Sequence, residues 1–181
     1  MYKSTNNASV QGVKHFEASL FKDNRGSFTK IWSASWDGEE EFVSREFFYS
    51  DSVPGVIRGM HLQVGAAACS RYISVLGGTI LDVVLDLRPD SSTFLNYQAV
   101  EMNSLNTSTI FVPAGVAHGF QALEESRTLY VSGARHVPSL DTGVNSESFG
   151  FKWPIEKSIK SSRDKSLLDL SDWLQSTDGI N

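Results

Sequence analysis

Between Gly55 and Gln63 the chain reads Gly-Val-Ile-Arg-Gly-Met-His-Leu-Gln, which places Arg58 and His61 three residues apart in a strand-like run. Alternate side chains of a strand share a face, so His61 and Gln63 point the same way. Gly59 lets the backbone bulge and re-aim the strand between the arginine and the histidine. A cation suited to phosphate beside a titratable base fits acid–base chemistry on an anionic small molecule. The plain alternative is a core histidine near a surface arginine, and these residues alone leave both readings open.

Of the other histidines, His15 stands in an amino-terminal polar stretch and is read as structural. His118 and His136, like His61, fall in or beside β segments, and the Pro113-Ala114-Gly115 turn delivers His118 to the start of a strand. Singly, each is more often a satisfied structural imidazole. Three of them converging on one interior would be harder to explain as packing. Small cupin-type barrels often hold a metal on a His-x-His pair with a carboxylate and a distant histidine. Here the pair reads His61-x-Gln63, and a neutral amide is a poor ligand beside imidazole, so no metal is expected. Cys69, a lone cysteine in an apolar setting, is read as packing rather than nucleophile.

The elements that must position these residues are short strands. Val, Ile, Phe, Tyr and Thr dominate Gly26–Trp32, Val43–Tyr49, Val56–Gln63, Arg71–Leu76, Thr79–Leu87, Tyr97–Met102, Ser108–Val112, Ala117–Leu123 and Arg127–Ala134. Breaks fall at Asp23-Asn24, Val53-Pro54-Gly55, Gly77-Gly78, Arg88-Pro89-Asp90 and Pro113-Ala114-Gly115, and Gly77-Gly78 reads as a hairpin. Leu167, Leu168, Leu170 and Leu174 suggest one short carboxy-terminal helix over Ser166–Leu174. The pattern predicts an all-β sandwich or barrel, and we expect a barrel with an enclosed pocket. At 181 residues this is one domain spanning 1–181, with apolar content ample for a core. The net charge of −5 argues against general nucleic-acid binding. The polar start, Met1 to Asn7, and the lack of a run long enough to span a membrane lead us to expect a cytoplasmic protein without signal peptide or membrane contact.

The chain resembles the dTDP-4-dehydrorhamnose 3,5-epimerase family of cupin-fold sugar-nucleotide epimerases from about residue 15 to 168. The resemblance rests on Asp23, Arg25, Gly26 and Phe28; on Gly55 to Gln63; and on Asp86-Leu87-Arg88 followed by Ser92-Thr93-Phe94. Further matches are Pro113 to Phe120, Trp153-Pro154, and Ser161, Ser162, Arg163 and Asp164. It implies a cupin-type jelly-roll barrel with a short carboxy-terminal helix, and a nucleotide-diphosphate 4-keto-6-deoxyhexose as substrate. The ketone acidifies the hydrogens on carbons 3 and 5; a base removes one and an acid returns a proton on the opposite face. His61 matches the family's base and Asp164 the carboxylate that orients it. Arg25 and Arg58 match diphosphate-binding arginines. His118 and Tyr130 match polar residues of the sugar pocket, in which Gln63 and Phe28 are also expected. No metal or redox cofactor is implied, since no electrons change hands. Family members are typically dimers that exchange strands, so a homodimer is expected, serving deoxysugar formation for surface polysaccharide such as O-antigen or for a glycosylated metabolite.

The departures from the family pattern are informative. Ten residues after the base, where the family usually has lysine near the enolate oxygen, stands Arg71, with Asp82 a plausible partner. At the place of the general-acid tyrosine stands His136. An imidazolium can donate a proton, with an ordinary pKa near ~6.5 against ~10 for a phenol. His136, Tyr130 or water is thus the acid, and altered reprotonation favours epimerisation at carbon 3 alone over the double inversion. Lys30 replaces a glutamate expected near the base, which would favour a CDP-sugar over a dTDP-sugar if it faces that base. Glu46 and Phe48 replace the usual Gln and Asn. A 3,4-ketoisomerase, which Gln63 counts against, and a non-catalytic sugar-nucleotide-binding cupin are the competing readings.

Overall fold

The computed structural model describes residues 10–17, 19–33, 42–105 and 108–176; the polar stretch Met1–Asn7 lies outside them. Among the described residues twelve strands run in chain order: β1 (Lys14–Glu17), β2 (Ser19–Asp23), β3 (Gly26–Lys30), β4 (Glu46–Ser52), β5 (Ile57–Gln63), β6 (Arg71–Gly77), β7 (Thr79–Asp86), β8 (Tyr97–Asn103), β9 (Ser108–Val112), β10 (Val116–Ala122), β11 (Ser126–Ser132) and β12 (Asp141–Gly143). Two short helices follow, α1 (Ser162–Lys165) and α2 (Leu170–Gln175). One five-stranded sheet has the order β1-β9-β6-β11-β4, a second the order β12-β5-β10-β7-β8, and β2 pairs with β3 in a separate hairpin.

Side-chain alternation explains the layering. Ile73 and Val75 of β6, Ile110 and Val112 of β9 and Tyr130 of β11 meet Ile80 and Val84 of β7, Met102 of β8 and Phe120 of β10 in one buried cluster between the sheets. The intervening residues of β7, Leu81, Val83 and Leu85, face the other way and are covered by Val144, Phe151 and Trp173 from the carboxy-terminal segment. β7 is therefore apolar on both faces, with Asp82 and Asp86 as its buried exceptions. Asp86 accepts bonds from Arg88, Ser91 and Thr93. Burial alone would raise its pKa, and those bonds together outweigh it, lowering it to about 2.

The expected barrel is corrected. Among the described residues neither sheet closes on itself and no ladder joins one sheet to the other, so these strands form an open stack of two sheets. The reason lies in the connections: β4, β5, β6 and β7 alternate between sheets, and so do β9, β10, β11 and β12. The Gly77-Gly78 hairpin is corrected for the same reason, because β6 and β7 belong to different sheets. Gly78 (φ 69°) turns a corner where a Cβ would strike the Glu125 carbonyl. The short carboxy-terminal helix expected over Ser166–Leu174 is present as α2, which starts later, at Leu170; α1 is an added turn upstream of that range, and β1, β2 and β12 add strands that propensity left unmarked.

Candidate active site

β5 brings Arg58 and His61 into one cavity. His61 stands opposite His118 of β10 and Arg58 opposite Phe120, so β5 carries one residue more than its partner between these points. That bulge puts residues three apart on the same side, where a regular strand would part them. Gly59 is required there twice over: its φ is 131°, and a Cβ would collide with the backbone of His118 and Gly119.

The cavity has a volume of about 350 Å³ and is walled by both sheets and α1. His61 Nε2 lies 2.6 Å from Asp164 Oδ1, across 103 positions of sequence. The chain returns because Ile159 pairs with the start of β5, donating to the Gly55 carbonyl and accepting from Ile57 N–H. Ser161 then caps α1 by accepting from Asp164 N–H at 3.0 Å. Burial of Asp164 pushes its pKa up, but the bond and charge of His61, the Ser161 bond and Arg163 more than offset this, and the net shift is downward. With Nε2 held by a carboxylate, His61 keeps Nδ1 for proton transfer.

His118, buried beside it, holds Asp82 Oδ2 through Nε2 at 2.6 Å. Asp82 was expected to face Arg71; its partner is His118 instead, and its Oδ1 is buried without a hydrogen bond. Arg71 lines the cavity with no ion pair among the described residues. Arg58 donates to the Ser52 hydroxyl and the Asp51 carbonyl, so it too keeps its charge unneutralised. Tyr130 stacks on Phe48 with ring centroids 4.7 Å apart and meets His118 edge-on. Burial pushes its phenol far above the ordinary value.

His136 also reaches the cavity, so three of the four histidines converge there. Gln63 faces the same space, yet its amide is engaged by the backbone: it donates to the Arg135 carbonyl and accepts from Val137 N–H at 2.7 Å. It thus fixes both residues flanking His136. Arg25, Phe28 and Lys30 are not brought to the cavity. They belong to the β2–β3 hairpin, where Arg25 pairs with Asp23 at 2.6 Å and Phe28 is exposed. Sequence reading missed Asp141 as a cavity residue and gave Arg163 no role of its own. The signal for Asp141 was the Val137-Pro138 start of a 3-10 turn over Pro138–Leu140, which folds it back toward His136.

A larger cleft of about 680 Å³ lies beyond Gln63. Its guanidinium, Arg88, is neutralised by Asp86 at 2.8 Å, so the smaller cavity holds the unpaired cations and the histidines. Among the described residues no group of three or more His, Cys, Asp or Glu stands where it would hold a metal ion.

The chain as a whole is similar in sequence and fold to known proteins. Residues 7–172 match the model of a family described as dTDP-4-dehydrorhamnose 3,5-epimerase. The dTDP-4-dehydrorhamnose 3,5-epimerase of Mycolicibacterium smegmatis is 30% identical over 163 residues, covering 86% of this chain and 80% of that protein. The dTDP-4-dehydrorhamnose 3-epimerase of Streptomyces niveus is 29% identical over 171 residues, 90% and 82% of the two chains. The crystal structure of the 3,5-epimerase from Sulfolobus tokodaii superposes with a TM-score of 0.83 at 32% identity, covering 92% of this chain and 93% of that one.

Proposed function

The chain belongs to the dTDP-4-dehydrorhamnose 3,5-epimerase family and is a nucleotide-sugar epimerase; we propose that its cavity inverts carbons 3 and 5 of a nucleotide-diphosphate 4-keto-6-deoxyhexose. The observation that carries this reading is the His61–Asp164 pair at 2.6 Å, set beside Arg58 and Arg71, which no carboxylate among the described residues neutralises. His61 Nδ1 takes the hydrogen beside the ketone, and the electron pair passes into an enolate. Arg71 lies in the same wall and balances the oxyanion, as an unpaired cation in a partly dry site does best. Arg58 binds the diphosphate with its free donors. Two donors face the returning proton, Tyr130 and His136.

Relatives named as 3,5-epimerases favour double inversion over the carbon-3 preference drawn from His136. The Streptomyces niveus 3-epimerase supports single inversion as a second reading. Incubation with dTDP- and CDP-4-keto-6-deoxyglucose in deuterated water, read by NMR, decides both points. Label at carbons 3 and 5 supports the first reading, and label at carbon 3 alone the second. Exchange that survives His61→Asn would remove the proposed base.

A second copy completes the site in this proposal. Leu20, Phe21 and Phe28 expose apolar surface on a hairpin outside both large sheets, and Arg25 on the same hairpin would exchange its exposed ion pair with Asp23 for a neighbour's diphosphate. Lys30, at the end of β3, would then face the partner's nucleotide base and favour cytosine. Equilibrium sedimentation tests the dimer, and the relative kcat/KM for the two nucleotides tests Lys30.

A further inference from the structure

Resting on the proposed epimerisation, the geometry points to a second histidine–carboxylate dyad, in which Asp141 positions His136 to return the proton on the face opposite His61. His136 Nε2 lies 2.9 Å from Asp141 Oδ2, and Arg163 Nη2 lies 2.9 Å from the same oxygen. Asp141 is largely buried while His136 is half exposed. The loop is held at several points. Glu46 of β4 accepts from His136 N–H at 3.0 Å, Gln63 clamps its two neighbours, and β12 sets Asp141 opposite Gln63. Glu46 from β4, Asp141 from β12 and Arg163 from α1 are the charges that face this histidine.

Two features distinguish this pair from incidental surface contact. First, α1 carries Asp164 to His61 and Arg163 to Asp141, so one helical turn fixes the carboxylates of both dyads. Second, the His136 loop is tied to both sheets: Gln63 and Asp141 belong to the sheet of His61, and Glu46, which accepts from His136 N–H, belongs to the one facing it. A sugar ring in the cavity would meet His61 from β5 and, separately, His136 from the loop spanning the two sheets.

The step balances. The Nδ1 proton of the His136 imidazolium passes to the enolate carbon, and the enolate π pair becomes the new C–H bond. The C4 oxygen returns to a ketone. His136 is left neutral, with its remaining proton on Nε2 held by Asp141. Solvent then replaces the lost proton, since the ring is 54% exposed. Tyr130 is poorly placed for the same duty, because donation would leave a buried phenolate that its surroundings strongly disfavour.

The test separates hydrogen exchange from inversion. In deuterated water with the 4-keto-6-deoxyglucose nucleotides, His136→Gln should keep exchange within about twofold while inversion falls on the order of 100-fold. Asp141→Asn should show the same split with a loss of roughly tenfold, KM unchanged and partial rescue by Asp141→Glu. In both, His61 removes the hydrogen and returns deuterium to the same face, giving labelled substrate of retained configuration. Parallel loss of exchange and inversion in the two variants would reduce the pair to a structural contact, and undiminished inversion would overturn it outright. Failure of the underlying reading shows separately, as exchange that persists in His61→Asn.

Discussion

The molecule uses the histidine–carboxylate pair in two settings. Deep between the sheets, His118 and Asp82 lie 2.6 Å apart with side chains 4% and 1% exposed. At the cavity mouth, His136 and Asp141 lie 2.9 Å apart at 54% and 14%. The chemistry is the same and the surroundings differ. A buried pair cannot renew its proton from water, and losing one partner strands the other in a low dielectric, so it acts as framework. A pair at the mouth is cheap to break and easy to reprotonate, so it suits turnover. His61 with Asp164 stands between these extremes, at 23% and 6%.

The comparison is broken most directly at His61. Its replacement by Asn should lower epimerisation and carbon-bound deuterium exchange by about 10³-fold, roughly 4 kcal/mol of barrier. Thermal melting should move little, because Ser161 still accepts from Asp164 N–H to cap α1 and the Asn amide can donate to the Asp164 carboxylate. A large drop in melting temperature would make His61 framework like His118. The converse variant, Asp82→Ala, should cost about 3 kcal/mol by leaving the buried His118 without its partner. That corresponds to roughly 6–12 °C in Tm for a chain of this size, against at most about 2 °C for His136→Gln.

Asp86 sharpens the framework side through pH. A carboxyl whose folded pKa is depressed to about 2 adds stability that is fully present above its unfolded value near ~3.9. That stability is lost as pH falls through the folded value. Asp86→Asn should therefore cost about 2 kcal/mol at pH 7 in urea unfolding, and the difference from the unmodified chain should close between about pH 4 and pH 2. The smallest expected effect is at Arg58. Its replacement by Met should raise KM about tenfold with kcat nearly constant, and added salt should narrow the gap. A fall in kcat instead would move Arg58 from binding to chemistry.

Much of the site was legible because it is encoded locally. Gly59 between Arg58 and His61 announces a bulge, and the bulge turns both side chains into one cavity. The Pro113-Ala114-Gly115 turn sets the start of β10 and so the position of His118. The link between His61 and Asp164 was legible only through family resemblance, since nothing in the residues themselves couples positions so far apart. Asp141 was missed for a related reason: the Val137-Pro138 turn signals only a fold-back, while its pairing depends on Arg163 from a distant helix.

What the sequence determined alone was most of the extended segments, β1, β2 and β12 excepted, and which of their faces are apolar, because strand propensity and alternation act over a few residues. It also determined the chemical inventory, four histidines and the arginines spaced around them. Tertiary structure decided which sheet each strand joins, turning Gly77-Gly78 from a hairpin into a corner and leaving two open sheets where a barrel was expected. It likewise gave Asp82 to His118 rather than Arg71, and turned the Gln63 amide from the substrate to the loop that carries His136. Those outcomes depend on contacts between residues far apart in the chain, and a local pattern carries no record of them.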